Sequence, residues 1–349
     1  MVRADLGTIS KISELGTQIL GASDLQNAEI GKTHDNILFR DLRKSDLSDF
    51  LNLLQKCFAE EFEITGFDSD HVSEMFNRGF GITGRLILGL MRLFGKEPLK
   101  FLVAEANGKI VGSTIVNNQR KSGYISTVMV HPDYRRKGIA TRLMTDALSY
   151  IRRRKMSRAV LHVDSTNATA KNLYIKLGFK TFEHSAYFVR ETGFTYVPEN
   201  VSQVKIRKFQ KDDLDQVYDL IKASEDSNSL ILFDFTKKDL TTPFLQRIFG
   251  FATQKKLVAT LGNRIVGYVE ATYTTPKETG RIHSISVNSE DRSLGIEKLL
   301  IEEASKEIAE GGVRRIRLTA PTAKQELIET VEDLGFKEIV LMDAMVIEF

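Results

Sequence analysis

Val128-Met-Val-His-Pro-Asp-Tyr-Arg135-Arg-Lys-Gly138-Ile-Ala140-Thr141-Arg-Leu143 is the stretch whose reading decides the fold. A β-branched run ends at Val130, Pro132-Asp133 turns the chain, a basic loop with one glycine follows, and an amphipathic helix begins. The first amides of such a helix have no partners within it, and together with the helix dipole they form a ready phosphate site. The loop carries neither the Gly-x-Gly-x-x-Gly of a dinucleotide fold nor the Gly-Lys-Ser/Thr of a P-loop, so both of those cradles are excluded. Its pattern is Arg-x-x-Gly-x-Ala. Gly138 lets backbone approach a pyrophosphate, and Ala140 keeps the helix start uncrowded.

Working outward, Gly123–Val130 reads as the strand that feeds this loop, and Arg152-Arg-Arg-Lys155 as the solvated end of the helix that leaves it. Ala159–Val163 is a short buried strand, and residues 168–177 form a second helix closed by Gly178. Upstream, Lys100–Val116 is a hairpin around Asn107-Gly108, a strong two-residue turn signal. Ile37–Leu42 opens the domain as a strand. Ser45 is the expected cap of a helix that places Leu47, Phe50, Leu51 and Leu54 on one face.

The loop pattern together with Asn167-Ala-Thr-Ala-Lys-Asn-Leu-Tyr174-Ile-Lys-Leu-Gly178-Phe179 resembles the acetyl-CoA-binding core of the GCN5-related N-acetyltransferases, the GNAT superfamily. The resemblance implies an α/β fold with a mixed sheet splayed by a strand irregularity, and acetyl-CoA in the gap. It implies that Val128, Met129, Val130, Arg135, Arg136, Lys137, Gly138, Ile139, Ala140 and Thr141 contact the cosubstrate. Backbone amides of Val128–Val130 would polarise the thioester carbonyl, Asn167 would hold the pantetheine amides, and Tyr174 would protonate the leaving thiolate.

Tyr124-Ile-Ser-Thr-Val-Met-Val-His-Pro-Asp-Tyr134 and Leu161-His162-Val-Asp-Ser-Thr-Asn167 further resemble the catalytic subunits of NatE-type N-terminal protein acetyltransferases. That likeness implies a base role for Tyr124 and His162, acting on a peptide α-amine through water; a histidine in a short apolar strand is otherwise a satisfied core residue. The likeness stops at the acceptor site. Residues 66–98 hold an insertion, apolar on nearly all sides over residues 79–95, which reads as a helix packed on a second domain or as an acceptor-pocket wall. The return strands after Phe179 are expected to present Tyr187-Phe188 where those enzymes carry a Tyr-Tyr pair.

From Val204 the chain repeats itself. Val204-Lys-Ile-Arg207 follows the plan of Ile37-Leu-Phe-Arg40, and Gly262-Asn263-Arg-Ile-Val-Gly267 that of Asn107-Gly108-Lys-Ile-Val-Gly112. At an offset of 157 positions Val130 meets Val287, Arg135 meets Arg292, Gly138 meets Gly295 and Gly178-Phe179 meets Gly335-Phe336. The chemical positions change at that same offset: Tyr124 becomes Arg281, Ala140 Glu297, His162 Thr319, Asn167 Lys324 and Tyr174 Val331. The expected organisation is therefore an extension over 1–35, a catalytic GNAT domain over 36–197, a linker at 196–200, and a degenerate GNAT domain over 203–349.

Composition agrees with a globular tandem. Of 349 residues 42% are hydrophobic and 27% charged, and the formal net charge of +3 is too small to argue for nucleic acid. The single cysteine, Cys57, excludes an intrachain disulfide and a cysteine-cluster metal site. No metal, no membrane span and a cytoplasmic location are expected. The partner is an amine acceptor, on a protein or peptide or on a small metabolite as in tandem enzymes of the mycothiol-synthase type; a non-catalytic acetyl-CoA sensor is the third reading.

Overall fold

A computed structural model describes residues 36–65, 99–193, 203–224, 235–241, 252–274 and 279–349. The extension 1–35, the apolar run 79–95 and the linker 196–200 lie outside the described residues. No helix among those described is long and apolar enough to cross a membrane. The chain divides into two compact units, one holding residues up to Glu183 together with Met342–Phe349, the other His184–Leu341.

In the first unit the sheet runs β1 (Leu38–Asp41), β2 (Leu99–Ala106), β3 (Lys109–Asn118), β4 (Ser122–Val130), β5 (Arg158–Asp164) and then β12 (Lys337–Glu348). Neighbours are antiparallel except β4 and β5. The helices are α1 (Leu47–Thr65), α2 (Ile139–Arg153) and α3 (Ala168–Lys176). The β2–β3 hairpin turns at Asn107 (φ 52) and Gly108 (φ 75), both left-handed, as a two-residue turn between twisted strands requires. Helix α2 buries Ile139, Leu143, Met144, Ala147, Leu148 and Ile151 on one stripe, while residues 152–155 are exposed, as their charge predicts. Its two ends sit on glycines. A Cβ at Gly112 would come 2.8 Å from Ile139, and one at Gly123 2.5 Å from Ile151.

Ser45 does not cap α1. It lies in a 3-10 turn, Lys44–Asp46, whose entry is closed by Asp46 accepting the Arg43 amide at 2.6 Å. Asp46 also takes a two-pronged ion pair from the buried Arg40, which is why this carboxylate does the capping. The buried face of α1 holds Phe50, Leu53, Leu54, Cys57 and Phe58, with Leu47 and Leu51 only half-buried.

The second unit repeats this plan with β7 (Val204–Lys208), β8 (Ala252–Leu261), β9 (Arg264–Thr274), β10 (Thr279–Val287) and β11 (Arg315–Pro321), then residues of β6 (Lys180–Glu191) beside β11. Its helices are α4 (Leu214–Ser224), α5 (Ile296–Glu310) and α6 (Gln325–Asp333). The Arg–Asp clamp recurs as Arg207–Asp213, both contacts at 2.7 Å. The glycine seats recur as well, Gly267 under Ile296 and Gly280 under Ile308.

Each unit therefore takes its last strand from the far end of the other repeat. The contiguous spans 36–197 and 203–349 describe the repeat in the chain, whereas the compact units exchange residues 184–191 for residues 342–349.

Candidate active site

Strand β4 carries an irregularity at its centre. Thr127 has φ 54, and pairing with β3 shifts register there. Parallel pairing with β5 covers only Ser122, Gly123 and Tyr124, after which the two strands part. The β5-facing edge of Val128–Val130 thus has no strand ladder, which leaves a fork in the sheet. The same device stands in the second unit, where Ser284 has φ 55 and the β9–β10 register shifts between His283 and Ser286.

A cavity of about 370 Å³ opens at the end of β4 in the first unit. Met129, Val130, Arg135, Arg136, Gly138, Ile139, Ala140 and Thr141 line it. These are eight of the residues singled out from the sequence. Val128 instead lies in the apolar core, and the Lys137 ammonium stands 5.3 Å over the Tyr134 ring. The loop backbone is left-handed at Arg136 (φ 65) and again at Gly138 (φ 77), and no side chain caps α2. The first intrahelical bond is Arg142 N to Gly138 O, so the amides before it face the cavity end of the helix. A Cβ on Gly138 would meet nothing within 4 Å. An uncapped positive helix end beside open space, flanked by Arg135 and Arg136, suits an anion of pyrophosphate size.

The cavity wall also includes Cys57, Tyr134, Thr169 and Leu173, which sequence reasoning did not single out. Thr169 and Leu173 lie four residues apart on α3 and so share a face, a spacing that could have found them. Cys57, on α1, had no local signal; it donates to the Val130 carbonyl at 3.7 Å.

Asn167 caps α3, its Oδ1 accepting the Ala170 amide at 3.1 Å. Its Nδ2 is buried with no hydrogen-bond partner. A buried amide donor left unmade costs about 1–3 kcal/mol, so a ligand carbonyl is its natural complement. Tyr174, in contrast, does not line the cavity. It is buried in the core 6.0 Å from the Phe179 ring, and burial holds its phenol above the ordinary value, hence protonated.

Tyr124 and His162 do meet. The Tyr124 hydroxyl is 2.8 Å from His162 Nδ1, with the rings 5.6 Å apart. Tyr124 is the last residue of β4 paired with β5, and His162 lies two residues beyond its partner Val160, so the pair spans the point where the fork opens. Tyr187-Phe188 does not pair with β5. These residues pair with Thr319 and Leu318 in the second unit, and the residue opposite His162 is Ala344. Strand exchange is the reason.

The second unit keeps the glycine at the loop, Gly295 with φ 65, but its surroundings differ. Glu297 projects from the first turn of α5, 3.8 Å from the Arg292 guanidinium, which also faces Glu326 at 3.8 Å. Burial pushes the Glu297 carboxyl up. Lys324, at the capping position of α6, makes no side-chain cap. The arginine that would meet an anion stands between two carboxylates of its own unit, the more buried Glu297 and the exposed Glu326.

The sequence profile described as the Acetyltransferase (GNAT) family matches residues 47–179 and again residues 215–336. This chain belongs to the GNAT family, twice over. Among relatives, mycothiol acetyltransferase of Streptomyces coelicolor is 30% identical over 98 residues, 28% of this chain and 32% of that protein. An uncharacterized N-acetyltransferase of Methanocaldococcus jannaschii is 29% identical over 152 residues, 41% of this chain and 61% of that protein. The match thus spans about a third of the mycothiol enzyme and under two thirds of the archaeal one. Two solved structures share the fold over nearly their whole length. A tandem GNAT protein from the clavulanic acid biosynthesis pathway gives a TM-score of 0.61 at 14% identity, covering 89% of this chain and 98% of its own. A GCN5-related N-acetyltransferase from Sphaerobacter thermophilus gives 0.65 at 18% identity, covering 91% and 97%. The architecture of this GNAT chain is accordingly two tandem GNAT folds.

Proposed function

We propose that this chain transfers an acetyl group from acetyl-CoA to a primary amine, with the chemistry in the first unit and a non-binding second unit. The observation that carries the reading is the 2.8 Å contact between Tyr124 and His162 at the opening of the fork. Two side chains that can accept and pass a proton are joined there by one hydrogen bond, next to a strand edge whose amides have no ladder.

Acetyl-CoA fits the residues present. The uncapped α2 terminus with Arg135 and Arg136 would hold the pyrophosphate, and the buried Asn167 Nδ2 would donate to a pantetheine carbonyl. When bound, it supplies the acetyl group. The chain's own residues do the rest: unladdered amides of Val128–Val130 polarise a carbonyl, and His162 takes a proton from the acceptor ammonium, directly or through water with Tyr124 orienting it. Tyr174 is the donor we propose for the thiolate on the family resemblance alone; its ring lies in the core and not on the cavity wall, so the bound arm has to reach it there.

The acceptor we propose is a protein or peptide amine, by the likeness of the Tyr124 and His162 segments to NatE-type enzymes. One observation favours a small-molecule amine instead: Ala344, and no aromatic pair, stands opposite His162. The relatives named mycothiol acetyltransferase lend the same weight. Incubating the full chain with labelled acetyl-CoA against parallel panels of peptides and small amines, read by mass spectrometry, decides between them. Acetyl-CoA binding with transfer to no amine would sink the proposal and leave a sensor.

A further inference from the structure

The turn between β5 and α3 carries Asn167, and it is pinned at two points. Within it, Asp164 Oδ1 accepts the Thr166 amide at 2.7 Å and the Thr166 hydroxyl at 2.5 Å. From outside it, Asp343 on β12 accepts the Ser165 hydroxyl at 2.5 Å and pairs with the Lys171 ammonium at 2.5 Å. Lys171 also donates to the Ser165 carbonyl at 3.3 Å, which closes the ring of contacts. Asp343 is 1% exposed. A buried carboxylate in a strand whose neighbours are Met342, Ala344 and Met345 requires compensation, and the pair with Lys171 and Ser165 provides it.

The matching positions of the second unit cannot form this clamp. At the offset of 157 positions, Asp343 corresponds to Ala186, Lys171 to Ile328 and Ser165 to Thr322. The β6–β11 register confirms the placement, with Ala186 opposite Ala320 as Asp343 is opposite Val163. In the second unit Thr322 reaches the exchanged strand through the His184 carbonyl, by its amide at 2.8 Å and its hydroxyl at 3.2 Å. A device needed merely to hold a helix on a sheet would serve both units. This one accompanies the unit that keeps Asn167 and Tyr174.

We propose that Asp343 is a positioning residue for the first unit's cosubstrate site, acting through Ser165 and Lys171 to fix the turn and helix that aim Asn167 Nδ2. The proposal rests on the acetyl-CoA reading above. It makes the last eight residues of the chain a working part of a site whose other members lie before residue 180. The test uses the full chain. Asp343→Asn should raise the KM for acetyl-CoA and its calorimetric Kd about tenfold, the scale seen when a supporting partner of a binding group is lost. The melting temperature should fall by a few degrees, as the loss of a buried pair requires, while the kcat pH profile should be unchanged. Amide hydrogen exchange over Ala168–Lys176 should speed up while that of Ile139–Arg153 does not. The double variant Asp343→Asn/Lys171→Gln, a neutral hydrogen-bonding pair, should recover most of the affinity. If Asp343→Asn does not fold, Ser165→Ala, which removes one of the two contacts and leaves the ion pair with Lys171 in place, carries the same comparison. Wild-type KM, Kd and exchange in these variants would overturn the proposal. Should the wild-type chain bind no acetyl-CoA, the exchange measurement still judges the clamp, and only the functional reading falls.

Discussion

Gly138 allows the phosphate assignment to be tested by the difference between two substitutions. Its φ of 77 is left-handed, so any L side chain there is strained by about 1–2 kcal/mol. That strain is present with and without ligand. It should lower the melting temperature by about 2–8 °C in a domain of this size and leave the dissociation constant nearly alone. Because a Cβ at this position meets nothing within 4 Å, Gly138→Ala adds strain and almost no contact. Gly138→Asp adds the same strain and a carboxylate. Two like charges about 4 Å apart repel by roughly 1 kcal/mol in bulk water and roughly 4 kcal/mol near a protein surface. The aspartate should therefore weaken acetyl-CoA binding about five- to a thousandfold relative to the alanine, at similar melting temperature. Titration calorimetry with acetyl-CoA on both variants measures this. Gly295→Asp, at the matching left-handed and open position of the second unit, should bind as wild type does. Equal affinity of the alanine and aspartate variants at Gly138 would refute the placement of the pyrophosphate. A loss confined to Gly295→Asp would show that the live site is in the other unit.

Because Tyr124 and His162 share one hydrogen bond, Tyr124→Phe and His162→Ala should each lower kcat by about a hundredfold or more, and the double variant should cost far less than the product; fully multiplicative losses would show that they do not act together. Tyr174→Phe should lower kcat without altering the acetyl-CoA Kd by more than a few fold, and an unchanged kcat would leave Tyr174 as packing. Burial raises the Tyr174 phenol above 10.0, so the folded state keeps a proton that the unfolded chain releases, and stability should fall as pH rises past about 10; urea melts should show a shallower alkaline fall in Tyr174→Phe. Gly123→Ala would drive a methyl to within 2.5 Å of Ile151 and should cost about 1–3 kcal/mol in chemical denaturation, with Gly280→Ala against Ile308 behaving alike.

Local signals carried much of this. The Asn107-Gly108 turn, the glycine at the start of α2 and the β-branched run of β4 depend on neighbours in sequence, and each was legible from residue type. The proximity of Tyr124 and His162 followed from family likeness, and β4–β5 pairing realises it. The Arg–Asp clamp was missed, although Arg40 and Asp46 recur at the same spacing as Arg207 and Asp213. Strand exchange was illegible for a physical reason. Strands β6 and β12 are both 12 residues long, with burial patterns that agree over their first ten positions, so length and burial pattern tell neither one which sheet edge to join. The fate of Tyr187-Phe188 depended on that choice. Asp343, charged in the middle of an apolar strand, was the flag that the strand had a specific destination.

The order of synthesis gives the exchange a further consequence. Strand β5 ends at Asp164, and the segment that covers its edge ends at Glu348, so a ribosome must add almost the whole second repeat before that edge can be paired natively. At about 5–20 residues per second the delay is roughly 10–40 s. Through that interval the nascent first repeat presents an unpaired row of amides and carbonyls from residues 158–164, with the repeat's own sixth strand, β6, close at hand as a competing partner. Premature closure by β6 would give a self-contained first repeat and leave residues 342–349 without a sheet. Slower translation, or a chaperone that holds exposed strand edges, would lengthen or protect that interval and so bear on which strand closes the edge.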